Sequence, residues 1–474
     1  MANFYEQDPS NYSPNGPEHD ADQFERSLRE ERNFYMDPST IDEVYDYYRY
    51  TNAEEKALKL LDFAIHRFPF RADYHYKRAL VALDLQKTGI AFEAITNALE
   101  LTPFESEYVF LKARIYLEQG NRKAGFETLQ AALDFAEDDL QAYFKAGQIC
   151  QLSEEFDAAI EYFRLISARY PGIEDTIYET VYCYEQQDRY EEAIAFCRQR
   201  IDQQPYSAVA WYNLGMLYHK QEAYEQAIQA FDYTLIADEY FISAYYAKGL
   251  SFAATGKFKE AIRVFLESLH YESDDAPTLL ALAECYEELE QPERARFYYA
   301  KVTEKFPDLP EGWLGMAATM EAQERYKEAI HFYQQALERN EYYFDAWLGK
   351  ADCEFALGNE ISALQALKQA IQLDPEDVEM WHDWAERLAE SGQWILAMEL
   401  LKQGIRANPT AISLLYRYAA YGFQSGHSNE AFSYLENALL MDFERHKLLY
   451  EFCPGIAELR PIQELIAQYQ PRSV

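Results

Sequence analysis

What the chain lacks rules out several classes of protein before any motif is considered. Across its 474 residues, no apolar run approaches the roughly 18 residues that a membrane-spanning helix needs. The opening stretch MANFYEQDPSNYSPNGPEHD has neither a basic segment nor an apolar one, so it does not read as a secretory signal. Bases are scarce. Against 81 Asp and Glu stand 43 Lys and Arg, a net charge of −38, which repels nucleic acid and anionic membrane surfaces and favours a basic partner. The six cysteines include no Cys-x2-Cys pair. They read as small buried apolar residues in a reducing compartment, with the cytoplasm as the default. Only 18 Gly and 17 Pro leave little room for long loops.

Signatures of chemistry are missing as well. The nine histidines form no His-Glu-x2-His or His-x3-His pair, and neither a Gly-Lys-Ser/Thr nor a Gly-x-Ser-x-Gly motif occurs. No metal ligand, cofactor or catalytic residue is assigned, and no enzymatic activity is expected.

What the chain does have is a period. From Pro38 a 34-residue unit can be laid down without insertion or deletion, starting at Pro38, Ala72, Ser106, Leu140, Glu174, Ala208, Ile242, Ala276, Pro310, Phe344, Val378 and Ile412. The eighth place is nearly always small, as at Gly147, Gly215 and Gly249. The twentieth is Ala in every unit except the third, where it is Gly125. In the unit 208–241, Trp211, Leu214, Gly215 and Tyr218 share one helical face, and Tyr224, Ala227, Ile228 and Phe231 share another. Two helices of about 14 residues joined by a tight turn fit this pattern. Seven units carry Pro at the thirty-second place, where it stops the second helix.

The pattern Trp-x2-Leu-Gly-x2-Tyr followed by Ala, an aromatic and Pro resembles the tetratricopeptide repeat, over about residues 38–470. The resemblance implies an all-α fold: a right-handed superhelical α-solenoid of stacked helix-turn-helix hairpins, each unable to bury its own apolar face. It also implies a non-catalytic scaffold or adaptor that holds a peptide or protein in a concave groove. An alternative from another class is a structural assembly element that self-associates, or joins subunits of a larger complex, through its outer surface. Residues 38–445 form the array. Residues 446–474 read as closing helices, with Ile462, Leu465 and Ile466 covering the end. Residues 1–37 read as an acidic, disordered tail with a possible short helix over 21–36. There Phe24 and Leu28 could dock on a partner or on the first unit.

In that family the inward places are 2, 5, 9, 12 and 13 of each first helix, and carrying them over gives two unlike halves. The first half holds Tyr76, Phe110, Phe144, Tyr178, Tyr182, Tyr212, Met216 and Tyr246, an aromatic ladder suited to an extended peptide. The second holds Glu284, Glu287, Glu288, Glu311, Glu321, Asp345, Asp352, Glu379, Glu386 and Glu390, with no Lys or Arg at these places in the four units concerned. A basic segment fits that half. The family's Lys/Arg/Asn clamp for chaperone C-terminal tails is not matched, since Arg49, Arg114 and Lys220 are scattered.

Overall fold

The computed structural model describes residues 16–30, 35–135 and 139–470. What was expected of residues 1–15 and 31–34 lies outside them. Every described element is helical, and among the described residues no helix is long and apolar enough to cross a membrane.

The chain divides into two compact units, Met1–Thr255 and Gly256–Val474. Unit one contains helix α1 (Pro17–Arg29) and six hairpins. These pair Pro38–Tyr50 with Glu54–Arg67, Ala72–Asp84 with Thr88–Leu101, Ser106–Glu118 with Arg122–Phe135, Leu140–Leu152 with Phe156–Arg169, Asp175–Glu185 with Tyr190–Gln203, and Ala208–Lys220 with Tyr224–Ala237. Helix Ile242–Ala254 ends this unit. Unit two opens with Phe258–Tyr271. Hairpins eight to twelve then pair Ala276–Glu288 with Pro292–Lys305, Pro310–Glu321 with Tyr326–Arg339, Phe344–Ala356 with Glu360–Leu373, Val378–Glu390 with Trp394–Ala407, and Ile412–Gln424 with Ser428–Met441. Short turns lead through Leu448–Phe452 to a last helix, Arg460–Tyr469. Within each unit the helices pack in chain order.

Two local features of the sequence make these hairpins. The first is the small residue at the crossing. A Cβ on Gly215 would stand 2.5 Å from the Phe231 ring, and one on Gly147 would stand 2.5 Å from Phe163. Phe163, Phe231, Ala159 and Ala227 are completely buried. Each buried ring contributes about 1.5–3 kcal/mol of transfer free energy, which the close approach of the two helices makes available. The second feature is the turn. The fifteenth residue of every unit lies in the left-handed region, whether it is Gly120, Gly256, Gly358, Gly392 or Gly426, or one of Asn52, Gln86, Glu154, Asp188, Glu222, Glu290 and Glu324. The following N–H then donates to the carbonyl oxygen five residues back, as Ala223 does to Tyr218 at 2.9 Å, which satisfies an orphan group of the helix end.

The ends of the array depart from the middle. Composition points to a solvated tail before residue 38, but Pro17–Arg29 is a helix with Ala21 and Phe24 buried. Phe24 meets Phe63 edge-on at 5.5 Å. The Tyr48 hydroxyl donates to Glu25, which also pairs with Lys56 at 2.7 Å. Leu28 is 46% exposed and takes no comparable part. A two-residue apolar anchor and one ion pair outweigh the acidic composition here. At the other end, Leu449, Ile456, Ile462 and Ile466 are buried over hairpin twelve. Residues 414 to 423 of that hairpin's first helix are buried without a break.

Candidate functional site

In unit one the aromatic residues divide by burial. Phe110 is only 2% exposed, so it serves the hairpin core and is unavailable to a partner. Tyr76, Phe144, Tyr212, Met216 and Tyr246 are half-buried. Tyr76 stacks on Tyr108 at 4.7 Å, Phe144 meets Phe163 at 5.5 Å, and Tyr212 lies 4.9 Å from Phe241, the last residue of its own repeat. Tyr178 and Tyr182 stand out at 37% and 47% exposure. Burial pushes the Tyr178 phenol up to about 12, with a smaller push from neighbouring Tyr212. The row is therefore mostly internal packing, and Tyr178 and Tyr182 are its open part.

In unit two the ten carboxylates come from the first helices of hairpins eight to eleven, and nine of them fall into three groups, with Glu311 apart. Glu287 and Glu321 are held from inside: the Tyr299 hydroxyl donates to Glu287 at 2.9 Å, and the Tyr333 hydroxyl to Glu321 at 2.5 Å. Both tyrosines are 4% exposed. Asp352 and Glu386 have bases opposite them, Arg387 at 3.5 Å and Arg417 at 3.1 Å. The inward places themselves still hold no Lys or Arg. Both arginines come from the first helix of the following repeat, at places outside the five inward ones. Glu284, Glu288, Asp345, Glu379 and Glu390 are exposed, and no ion pair of theirs is present among the described residues. Glu311 is half-buried near Tyr343, whose phenol is raised by burial and then by Glu311 and Asp345.

The electrostatics of this face follow from crowding. Loss of water raises Glu284 and Glu287 above the usual carboxylate range. For Glu287 the Tyr299 hydrogen bond works the other way, while Glu284 and Glu288 add repulsion. Glu284 reaches solvent, yet the protein around its carboxyl is dense enough to strip part of its hydration. The Cys285 thiol is pushed up to about 11 by burial and then by Glu284 and Glu288. Burial lifts Asp352 to about 6; Arg387 opposes the shift, and Glu321 and Asp383 add to it. All six cysteines are buried and free. No group of His, Cys, Asp and Glu able to hold a metal ion occurs among the described residues.

Arg417 belongs to a further cluster that the sequence did not announce. It is 8% exposed, donates to the His382 carbonyl oxygen at 2.8 Å, and lies 4.2 Å from the centre of the Phe452 ring. His382 stacks on the same ring at 5.7 Å and shares a 2.8 Å hydrogen bond with Ser413. Burial, then the Arg417 charge, press the imidazole down to about 4, while Glu386 pulls it up.

Models of the tetratricopeptide repeat match residues 252–318 and 321–383, residues 208–238, and residues 76–139 and 110–172. Among curated proteins none matches the chain significantly. Solved structures do match. YrrB, described as a TPR protein with an unusual peptide-binding site, is 21% identical over 40% of this chain and 96% of its own, with a TM-score of 0.34. The APC/C hetero-tetramer Cut9–Hcn1 is 15% identical over 79% and 88%, with a TM-score of 0.40. Yeast Tom70 is 14% identical over 88% and 98%, with a TM-score of 0.39.

Proposed function

The chain belongs to the tetratricopeptide-repeat family, and from there we propose that it is a scaffold holding a Lys/Arg-rich segment of a protein partner on the first-helix face of hairpins eight to eleven. Repeats of this family generally act as non-catalytic scaffolds for protein partners. The crowding of Glu284, Glu287 and Glu288 around Cys285 supports the basic character of the partner. Carboxylates raised by desolvation and mutual repulsion are relieved by an incoming cation, so part of the binding energy is already stored in the free protein. On unit one by itself, exposed Tyr178 and Tyr182 offer apolar side chains of a protein partner a surface to lie on.

The test is binding of a Lys/Arg-rich peptide to the full chain across a salt series. Affinity is expected to fall steeply as ionic strength rises through the physiological range. Glu284→Gln with Glu288→Gln should weaken binding by about tenfold. Glu267→Gln with Glu293→Gln makes the same charge change on second helices and should have little effect. Equal losses for the two pairs would reduce the face to a share of a generally acidic surface, and the assignment would fail. Asp352 and Glu386 are left intact because they hold Arg387 and Arg417 in place.

A further inference from the structure

Hairpin six carries an apolar patch on its loop edge that the hairpin itself does not cover. Trp211 of its first helix stacks on Tyr233 of its second, with ring centroids 4.5 Å apart. The indole N–H is anchored on the Pro205 carbonyl oxygen at 2.9 Å, beside Tyr206. Tyr206 is 81% exposed, Ile236 71% and Tyr233 51%. Tyr233 and Ile236 lie three residues apart on one helix and so share a face.

Every other hairpin except the fourth puts a polar residue at one or both of these places; hairpin four has Leu165, 56% exposed, and Ala168. Hairpin five has Gln199 and Asp202, hairpin eight Lys301 and Glu304, hairpin nine Gln335 and Glu338. In hairpin nine the tryptophan equivalent to Trp211, Trp313, is also roofed by Arg339 at 4.6 Å. Hairpin one is the only other one with an aromatic ring at the first of the two places, and it shows what such a ring is for here. Its residue equivalent to Tyr233 is Phe63, and α1 lies against it with Phe24 edge-on at 5.5 Å. The protein thus covers one of these two rings with an amphipathic helix presenting an aromatic residue, and leaves the other open.

Charge sets the sign of the missing cover. From residue 221 to 247 the sequence has five acids and no Lys or Arg, and of those acids Asp232 pairs with Lys248. A second copy of α1, with Glu18, Asp20, Asp22 and Glu25 against two arginines, is repelled. A whole second chain, at −38, is repelled too.

We propose that hairpin six docks an amphipathic helix of a protein partner, with its apolar face on Tyr206, Trp211, Tyr233 and Ile236 and Lys/Arg along its rim. The surface is separate from the acidic face of unit two and does not depend on it.

The probe is a synthetic helical peptide of about 14 residues with Phe and Leu at i, i+3, i+4 and i+7 and Lys elsewhere. Titrated into the full chain, it is expected to slow hydrogen exchange over 224–237. Tyr233→Ala with Ile236→Ala should weaken its binding by about tenfold or more, with helical content unchanged. Glu284→Gln with Glu288→Gln should leave this binding as it is, which separates the two surfaces. Undiminished binding to the Tyr233/Ile236 variant overturns the proposal. Equal binding of a peptide with Ser at the apolar positions does so too, because charge alone would then suffice. Concentration-dependent dimerisation abolished by the same substitutions would assign the patch to a second copy instead.

Discussion

Tyr299 reaches back twelve positions to give its phenolic proton to the Glu287 carboxylate at 2.9 Å. The ring fills the space that a small residue, Gly315, leaves open on the next hairpin, where an added Cβ would come within 2.2 Å of it. One side chain therefore serves both the stacking of hairpins and the charge of the candidate site. Tyr299→Phe keeps the ring and removes the donor. Loss of a bond to a half-buried carboxylate is expected to cost about 1–3 kcal/mol. It should also raise Glu287 further, since that hydrogen bond is the one influence lowering it. Hydrogen exchange over 276–305, with carboxyl titration by NMR, measures both effects.

Helix crossings give a prediction with an internal control. Gly215→Ala places a methyl group against the completely buried Phe231 and should destabilise hairpin six by about 1–3 kcal/mol. Gly89 has nothing within 4 Å of an added Cβ, so Gly89→Ala should instead stabilise hairpin two by about 0.4–1 kcal/mol. Denaturant titrations of the two variants should move in opposite directions.

The turns offer a gain. Glu154, Glu222, Glu290 and Glu324 sit at φ near +58°, a conformation that costs an L-residue about 1–2 kcal/mol. Replacing any one of them by Gly should stabilise its hairpin by up to about 1 kcal/mol, once the extra freedom of the unfolded chain is deducted. A rise in melting temperature on combining the four checks it, and a fall would mean the glutamates earn their place through contacts.

His382 makes the C-terminal region sensitive to acid. Its folded value of about 4 lies below the ordinary 6.5, so its contribution to stability is complete above pH 6.5 and is lost as pH falls from there to about 4. Asp352, raised to about 6, has the opposite sign: it favours folding below its ordinary 3.8, and that advantage is gone by pH 6. Local protection over 378–424 should therefore drop on acidification, and His382→Gln should flatten that drop. The same experiment on 344–356 should show a weaker or opposite slope.

Phe24→Ala tests the first end of the array. It removes the buried ring that meets Phe63, and α1 should detach, exposing 17–29 to proteases. In a nearly one-dimensional array the damage should stop at hairpins one and two.

The fold was legible because small residues recur in register: a Gly or Ala every 34 residues can only mean repeated close crossings. The candidate site was less legible, for a reason visible at Arg387 and Arg417. Reading the acidic face one helix at a time misses a base brought in from the next repeat. Yet the structure forms such pairs repeatedly, at separations of 35 for Lys77–Asp42, 35 for Lys220–Glu185 and 31 for Arg417–Glu386. Acid and base about one repeat apart was the available signal. The burial of Phe110 beside the exposure of Tyr182 had no such signal, because both are aromatic residues on inward places and only three-dimensional packing separates them. Composition misjudged residues 17–29, since two buried side chains, Ala21 and Phe24, weigh more than a surplus of acids.

Contact in chain order also bears on how the protein is made. On a ribosome, each hairpin finds its packing partners among residues that have already emerged or will follow within about one repeat, so little apolar surface waits long for company. The first helix of hairpin twelve is different. Its ten consecutive buried residues, Leu414 to Phe423, stay partly bare until Leu449, Ile456 and Ile462 arrive. Synthesis that stalls between residues 424 and 462 would thus leave this apolar stretch facing water, and this is where a chaperone would have work to do.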